Sequence, residues 1–534
     1  MIARLDRWAL PVVLALAAWL RLPDLATRGT WDGDQGHDML VLRAFVRDGV
    51  IPLLGPPTSI GDVHHGAWYY YLLTPIAAVT GGDSPLAVVA VIALAGIAAV
   101  GVVWWLARSI GGPLAGLVAG LVLAVSTAAV DESTFIWNPN FIALSSAVAL
   151  AGAWRAWQGE TPRWWLVAAL GAALTMQSHV LGVALLPVVG MPFVLDARRR
   201  SLGRVPWGVA AIFVAAYLPL AINELTTGFS ETRAALDYLG GDRAPDAPGV
   251  LDRFAIIGLR VVSWPLVGLI TAAFLPAVAA TMAVVGIVAG LWRAGAGPGP
   301  VGPVALAARW YGLGLLWSVA FLTVAAPSLA TVIPGLPNDH YHAFADPLVV
   351  VLVGLGVAVA VERSRVAGGV AAVALVALVG WNVTHLPPAV HPDGGFPAAE
   401  RAGERVLDAL RAAGVATDEV VLVRSLPPFK STEAVAYPLV RAGQSVLAET
   451  PKGVAPGSVA APANGAAGSW RGLVLLCDQS FRGAIGADCG GPAESVVAPD
   501  AGGVSTAGAW GPLLDRFEAH PGRWVSVYGP APGP

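Results

Sequence analysis

Long apolar runs dominate this chain. Between residues 8 and 385, roughly eleven windows of about 20 largely uncharged residues follow one another, each long enough to carry a helix across the hydrocarbon of a bilayer. A backbone in lipid must satisfy its own hydrogen bonds, so such runs read as helices. With 56% hydrophobic and 13% charged residues in 534, the chain is too apolar for a soluble enzyme of this length. The expected fold class is therefore an all-α polytopic membrane domain over 1–385. The net charge of −3 offers no basic surface for nucleic acid. The first run, 8–22, follows Arg4 and Arg7 as a secretory signal would. Arg21-Leu22-Pro23-Asp24 is no small-residue cleavage site, however, and a retained anchor helix is expected.

Arginines set the expected orientation. Arg4 and Arg7, Arg108, Arg155 and Arg163, 198–200 with Arg204, Arg293 and Arg309, and Arg363 and Arg365 fall in alternate loops if the amino terminus is cytoplasmic. The outer side then receives the long loop at about 23–85 and the shorter loops near 131–140, 179, 223–260 and 338–346. An odd number of spans puts the tail outside as well. From residue 386 the hydropathy never recovers to a spanning run, and 386–534 is expected to be an extracytoplasmic α/β domain. It has helical periodicity over 398–413, short strands near 419–423 and 472–477, and a Gly/Ala/Pro loop over 454–469. Cys477 and Cys489, the two cysteines of the chain, can form a disulfide in an oxidising outer compartment or remain buried thiols.

The outer loops hold the unusual polar chemistry. TWDGDQGHDML carries Asp32, Asp34, His37 and Asp38 at the head of an expected helix, where Asp34 and Asp38 share a face. Asp34 can instead cap that helix, and Asp32-Gly33 can be an ordinary turn. Further on, Asp62, His64 and His65 precede Trp68-Tyr69-Tyr70-Tyr71, which suits either a membrane-interface belt or a sugar platform. The adjacent histidines could join the aspartates at a metal, although neighbours in an extended segment point to opposite sides.

The order WDGDQGHD, LLGPPTS, HHGAWYYYLLTP, FIWNPN, MQSHVLG and DHYHAFADPL resembles the integral-membrane glycosyltransferases of the GT-C fold. The likeness is greatest to the family 39 or PMT-like branch, which holds protein O-mannosyltransferases and aminoarabinose transferases, and it covers about 8–385. The resemblance implies inverting transfer of a sugar from a polyprenyl-phosphate carrier to a glycan, lipid or protein acceptor at the outer face of the cytoplasmic membrane. It also implies an acidic base in the first outer loop, at Asp34. Many relatives have Asp-Glu there, where this chain has Asp34-Gln35. One carboxylate is lost, so a metal-independent reaction without cofactor is expected, with a divalent cation left open.

His64 and His65 stand where relatives carry an acidic-basic pair, with Gly66-Ala67 replacing the usual proline. His179 stands where relatives present a basic residue to the lipid phosphate, and His340, Tyr341 and His342 precede a helix whose start faces the donor. Arg233 and Arg260 are alternative phosphate ligands, because a guanidinium binds phosphate bidentately. Asp32, Gln35, Asp38, Asp62, Tyr69, Asp131 and Asn138 are candidates for contact with sugar or acceptor. Two other classes remain open: a transporter or flippase, which would place polar residues midway along several helices, and a non-catalytic scaffold presenting the tail domain.

Overall fold

The structure, a computed structural model, describes residues 2–58, 63–159, 161–195, 202–241, 248–294, 302–331, 339–450, 453–458, 470–497 and 511–530. Six helices among them are long and apolar enough to cross a membrane: Pro85–Val125, Val205–Thr227, Phe274–Ala294, Pro303–Ala325, Asp339–Arg363 and Arg365–Thr384. Two shorter apolar helices span Trp8–Arg21 and Val180–Phe193. The chain is a multi-pass membrane protein. Its outward faces stay apolar, as Val366, Val370, Val373 and Val376 on the last of these helices illustrate.

Small residues let the helices approach closely, the device expected where lipid supplies no hydrophobic drive between them. Pro85–Val125 breaks at Gly112, which has φ 82°, and Pro113 follows. The second arm folds back on the first, with Gly116 and Gly120 set where a Cβ would meet Arg108 and Trp104. Ile142–Trp157 and Trp164–Ser178 make a second hairpin, in which Gly152 lies on the backbone of Ala168 and Gly171 on that of Ala149. Arg21 ends the first helix fully buried. Its guanidinium donates to the Ala124 carbonyl at 2.8 Å, the Leu123 carbonyl at 3.1 Å and Ser133 Oγ at 3.2 Å, satisfying carbonyls at a helix end that has no further turn to bond them.

The first outer helix, Gly33–Asp48, begins at Asp32. The Asp32 amide donates to Gln35 Oε1 at 2.8 Å in a capping box, and Gln35 Nε2 donates to the Ile136 carbonyl at 2.9 Å. Asp34 is therefore in the first turn of the helix and is not its cap. A second outer helix, Trp68–Thr80, packs beside it, and the Tyr69 and Tyr70 hydroxyls donate to the two oxygens of Asp38 at 2.7 and 2.8 Å.

The carboxyl-terminal unit is a small α/β layer. Helix Gly395–Ala412 covers a six-stranded sheet of order β3-β2-β1-β4-β6-β5, with β1 Val421–Leu426, β2 Val446–Thr450, β3 Gly453–Val454, β4 Gly472–Asp478, β5 Leu513–His520 and β6 Arg523–Tyr528. β1 runs parallel to β2 and β4, while β3, β5 and β6 pair antiparallel. The central strands are buried except at Arg424 and Asp478, as the apolar runs of β1 and β4 require. Cys477 and Cys489 are joined in a disulfide behind β4. Most of the expected loop at 454–469 lies outside the described residues.

This unit shares a core with the outer helices. Met39, Leu40 and Leu42 join Tyr437, Val421, Val423 and Val474 in one buried cluster. Trp31 Nε1 donates to the Ala434 carbonyl at 2.9 Å, and its ring packs edge-on against Phe396. Gly33 and Gly36 make the fit possible: a Cβ on Gly33 would overlap the Ser431 side chain, and one on Gly36 the Glu433 carbonyl.

Candidate functional site

A cavity of about 840 Å³ lies where the outer helices, the helix turns and the carboxyl-terminal unit meet. This is within the size range of small-molecule sites. One wall is the start of the first outer helix, with Asp34, His37 and Asp38. Asp34 is open to the cavity while protein surrounds it. That burial, and then the Asp32 carboxylate, push its pKa above the usual carboxylate range against the opposing pull of His37. Asp32 itself is held down to about 2: burial works against its charge, but Arg523 at 2.9 Å and Lys430 at 2.8 Å outweigh it.

A cluster of imidazoles also lines the cavity. His65 and His179 face each other with ring centroids 4.8 Å apart, and His340 approaches His179 at 5.6 Å. Trp137 and Tyr341 pack on the His340 ring at 4.1 and 4.3 Å. The Leu181 amide donates to His179 Nδ1 at 3.2 Å, so in the neutral ring the proton sits on Nε2. His340 Nδ1 has no hydrogen-bond partner among the described residues, although the residue is buried. His64 is oriented from the helix Ser230–Gly240, where Glu231 accepts from the His64 amide at 2.7 Å and meets Nδ1 at 2.9 Å. Phe429, Ser431 and Glu433 of the carboxyl-terminal unit close the third side.

Residues 64–222, which include His64, His65, Asn138 and His179, match the family model described as dolichyl-phosphate-mannose-protein mannosyltransferase. The apo crystal structure of ArnT from Cupriavidus metallidurans superposes with a TM-score of 0.61 at 13% identity, covering 97% of each chain. The chain has the GT-C fold, and its residues 64–222 are PMT-like. The same ArnT bound to undecaprenyl phosphate gives a TM-score of 0.59 at 12% identity, again over 97% of each chain. An oligosaccharyltransferase from Archaeoglobus fulgidus, in complex with Zn and sulfate, is similar at a TM-score of 0.49 and 14% identity, covering 89% of this chain and 68% of that one. No curated protein sequence matches the chain.

The cavity gathers Asp34, His64, His65, Asn138, His179, His340 and Tyr341 from five separate stretches of sequence. Other candidates lie elsewhere or are engaged. Asp38 reaches the cavity, but its carboxylate is held by Tyr69 and Tyr70, and burial raises its pKa to about 7 despite those hydrogen bonds. Asp32 faces Lys430 and Arg523, and Gln35 is spent on the capping box and Ile136. Arg260 is buried in a two-bond pair with Asp339, at 2.9 and 2.8 Å, and His342 Nε2 meets the same carboxylate at 3.0 Å. Arg233 is exposed and reaches the Thr227 carbonyl, Asp131 lies off the cavity, and Asp62 falls outside the described residues. Asn138 lines the cavity while its amide donates to the Ser178 carbonyl, fixing the turn that presents His179.

Sequence reasoning did not find Glu231, Glu433 or Trp137. Glu231 and Glu433 sit in amphipathic helices far along the chain, and no motif marks them. Trp137, beside Asn138-Pro139, did carry a signal, as an aromatic in a short outer loop. Among the described residues no group of three or more His, Cys, Asp and Glu side chains is placed to hold a metal ion.

Proposed function

We propose that this protein is a membrane glycosyltransferase that moves a sugar from a polyprenyl-phosphate donor to an acceptor hydroxyl, inverting the anomeric centre, with Asp34 as general base. One observation carries the reading: a carboxylate open to the cavity and a cluster of imidazoles line the same space. The undecaprenyl phosphate held by an ArnT of the same fold supports the donor class. In the reaction the acceptor oxygen bonds to the anomeric carbon, and its proton passes to Asp34. The carbon–oxygen bond to the phosphate breaks, leaving its electron pair on the phosphate oxygen. A base poised near the working pH contributes about 100- to 10,000-fold, and a pKa above the usual carboxylate range suits that role.

His65, His179 and His340 meet the charge that grows on the departing phosphate. Fixed donors aimed at developing charge are each worth about 100- to 1,000-fold. His340 is held in place on the cavity lining by the rings of Trp137 and Tyr341. The amino terminus is cytoplasmic in this reading, and the carboxyl-terminal unit stands at the outer face over the cavity. Glycan, lipid and protein hydroxyls are the acceptors to be tried.

The test is turnover of a panel of radiolabelled polyprenyl-phosphate sugars by the reconstituted chain beside Asp34→Asn. Transfer or release by the wild type, lost in the folded variant, is the expected result. Equal turnover in both proteins removes Asp34 as base. No turnover with any donor, with membrane acceptors present, sets the transferase reading aside in favour of the transporter or scaffold.

A further inference from the structure

The sequence of the first outer helix repeats glycine at 33 and 36, on the side that meets the carboxyl-terminal unit. Neither position can hold a Cβ without overlapping Ser431 or the Glu433 backbone. This contact brings the Glu433 carboxylate onto His37. Nδ1 of the imidazole lies 3.2 Å from Glu433 Oε1, and Ser431 Oγ donates to the other oxygen, so the carboxylate is fixed from both sides. His37 is one turn along the helix from Asp34, and all three residues line the cavity.

Other contacts also join the two parts. They are the shared apolar core, the Trp31 bond to Ala434 and the charges of Lys430 and Arg523 on Asp32. Unlike those, the His37–Glu433 pair opens onto the cavity.

We propose that Glu433 and His37 are a positioning couple for Asp34: Glu433 holds the imidazole beside the base, so the carboxyl-terminal unit completes the reaction site. This deepens the reading in which Asp34 is the base and rests on it. The groups facing His37 are Glu433 across the interface and Asp34 and Asp38 on its own helix. Those facing Asp34 are Asp32, His37, Lys430 and Glu433. Arg523 acts through Asp32, and the phenols of Tyr69 and Tyr70 act through Asp38.

The balance of these charges agrees with the geometry. Burial disfavours the His37 imidazolium, but the hydrogen bond and charge of Glu433, joined by Asp38 and Asp34, outweigh it and raise the pKa. The imidazolium in turn lowers that of Asp34 against burial and Asp32. An ionised Asp34 can accept the acceptor proton, whereas a protonated one cannot. The couple therefore keeps the base available over a wider pH range than its buried position alone allows.

Each link can be read without a donor, on the full-length protein in detergent. Diethyl pyrocarbonate modifies unprotonated imidazole, and a hydrophobic carbodiimide modifies protonated carboxyl, so peptide mapping by mass spectrometry gives a pH midpoint for each residue. Glu433→Gln is expected to lower the His37 midpoint by about one pH unit, and His37→Gln to raise that of Asp34 by about one unit, a tenfold change in each proton equilibrium. Glu433→Asp, which keeps the charge, is expected to recover much of the His37 midpoint and serves if the glutamine variant unfolds. An unmoved His37 midpoint in the folded Glu433 variants, or an unmoved Asp34 midpoint in His37→Gln, overturns the proposal.

Turnover separates this idea from the reading beneath it. If the midpoints shift but no polyprenyl-phosphate sugar is consumed, the couple stands and the donor assignment falls. If Asp34-dependent transfer is found while both midpoints stay fixed, the couple falls and the base remains. With an active donor, the acid limb of the rate profile in His37→Gln should move to higher pH with the labelling midpoint.

Discussion

Gly36→Ala should injure this protein where an ordinary glycine-to-alanine change in a helix would help it. Alanine in a helix interior is favoured over glycine by roughly 0.5–1 kcal/mol. At Gly36, however, the new Cβ would lie 2.8 Å from the Ala434 nitrogen and overlap the Glu433 carbonyl, where ordinary contact begins at 3.4 Å. The obstacle is backbone, so no side-chain rotation relieves it, and the helix must move off the carboxyl-terminal unit by about 1 Å. Overpacking of this kind costs about 1–3 kcal/mol, which leaves a net loss on the order of 1 kcal/mol once the helical gain is subtracted. The movement also pulls His37 from Glu433, now 3.2 Å away, beyond hydrogen-bond reach and displaces Asp34 with it. A misplacement of about 1 Å can cost roughly 100-fold in rate. Thermal unfolding in detergent and turnover of an active polyprenyl-phosphate sugar should therefore fall together, the rate much more than the stability. Gly369→Ala, in a helix where a Cβ meets nothing within 4 Å, is the control and should be neutral or slightly stabilising. Turnover within about twofold of wild type for Gly36→Ala would refute the claim that this contact positions Asp34.

Asp38 predicts a pH-dependent stability. Its folded pKa, near 7, stands above the unfolded value of 3.8, so its favourable contribution is complete below 3.8 and is lost as pH rises through about 7. Asp38→Asn should flatten the stability profile between those values; a profile unchanged from wild type in urea or thermal unfolding would count against the buried, doubly hydrogen-bonded carboxyl. Arg260→Gln leaves Asp339 buried without its guanidinium and should cost about 3–5 kcal/mol of stability, with KM for donor unaffected in protein that folds. A stable variant with a raised KM would instead make Arg260 a substrate ligand.

Sequence reading reached the fold class because spanning a bilayer leaves a chain little choice: apolar runs of sufficient length must be helices, and the drop in hydropathy after 385 marks a separate α/β unit. It named Asp34, His65, His179 and His340 from the acidic first loop and the family resemblance, and the structure places all four on one cavity. It did not distinguish Arg260, which the structure consumes in an internal pair, from the histidines, which the cavity leaves facing inward. Nor did it show that Gln35, standing where many relatives have Glu, completes a capping box.

What the sequence alone determined was local: which runs are apolar and helical, where the polar α/β unit begins, and the pair of cysteines on one short stretch. These depend on neighbours a few residues away or on a solvent that treats every segment alike. Only the tertiary structure decided that Glu433 meets His37 across nearly 400 residues of chain, that Gly33 and Gly36 are seats for Ser431 and Glu433, and that Glu231 orients His64. Such contacts depend on how packed elements cross in space, and the linear order of residues carries no periodicity or spacing from which that crossing can be read.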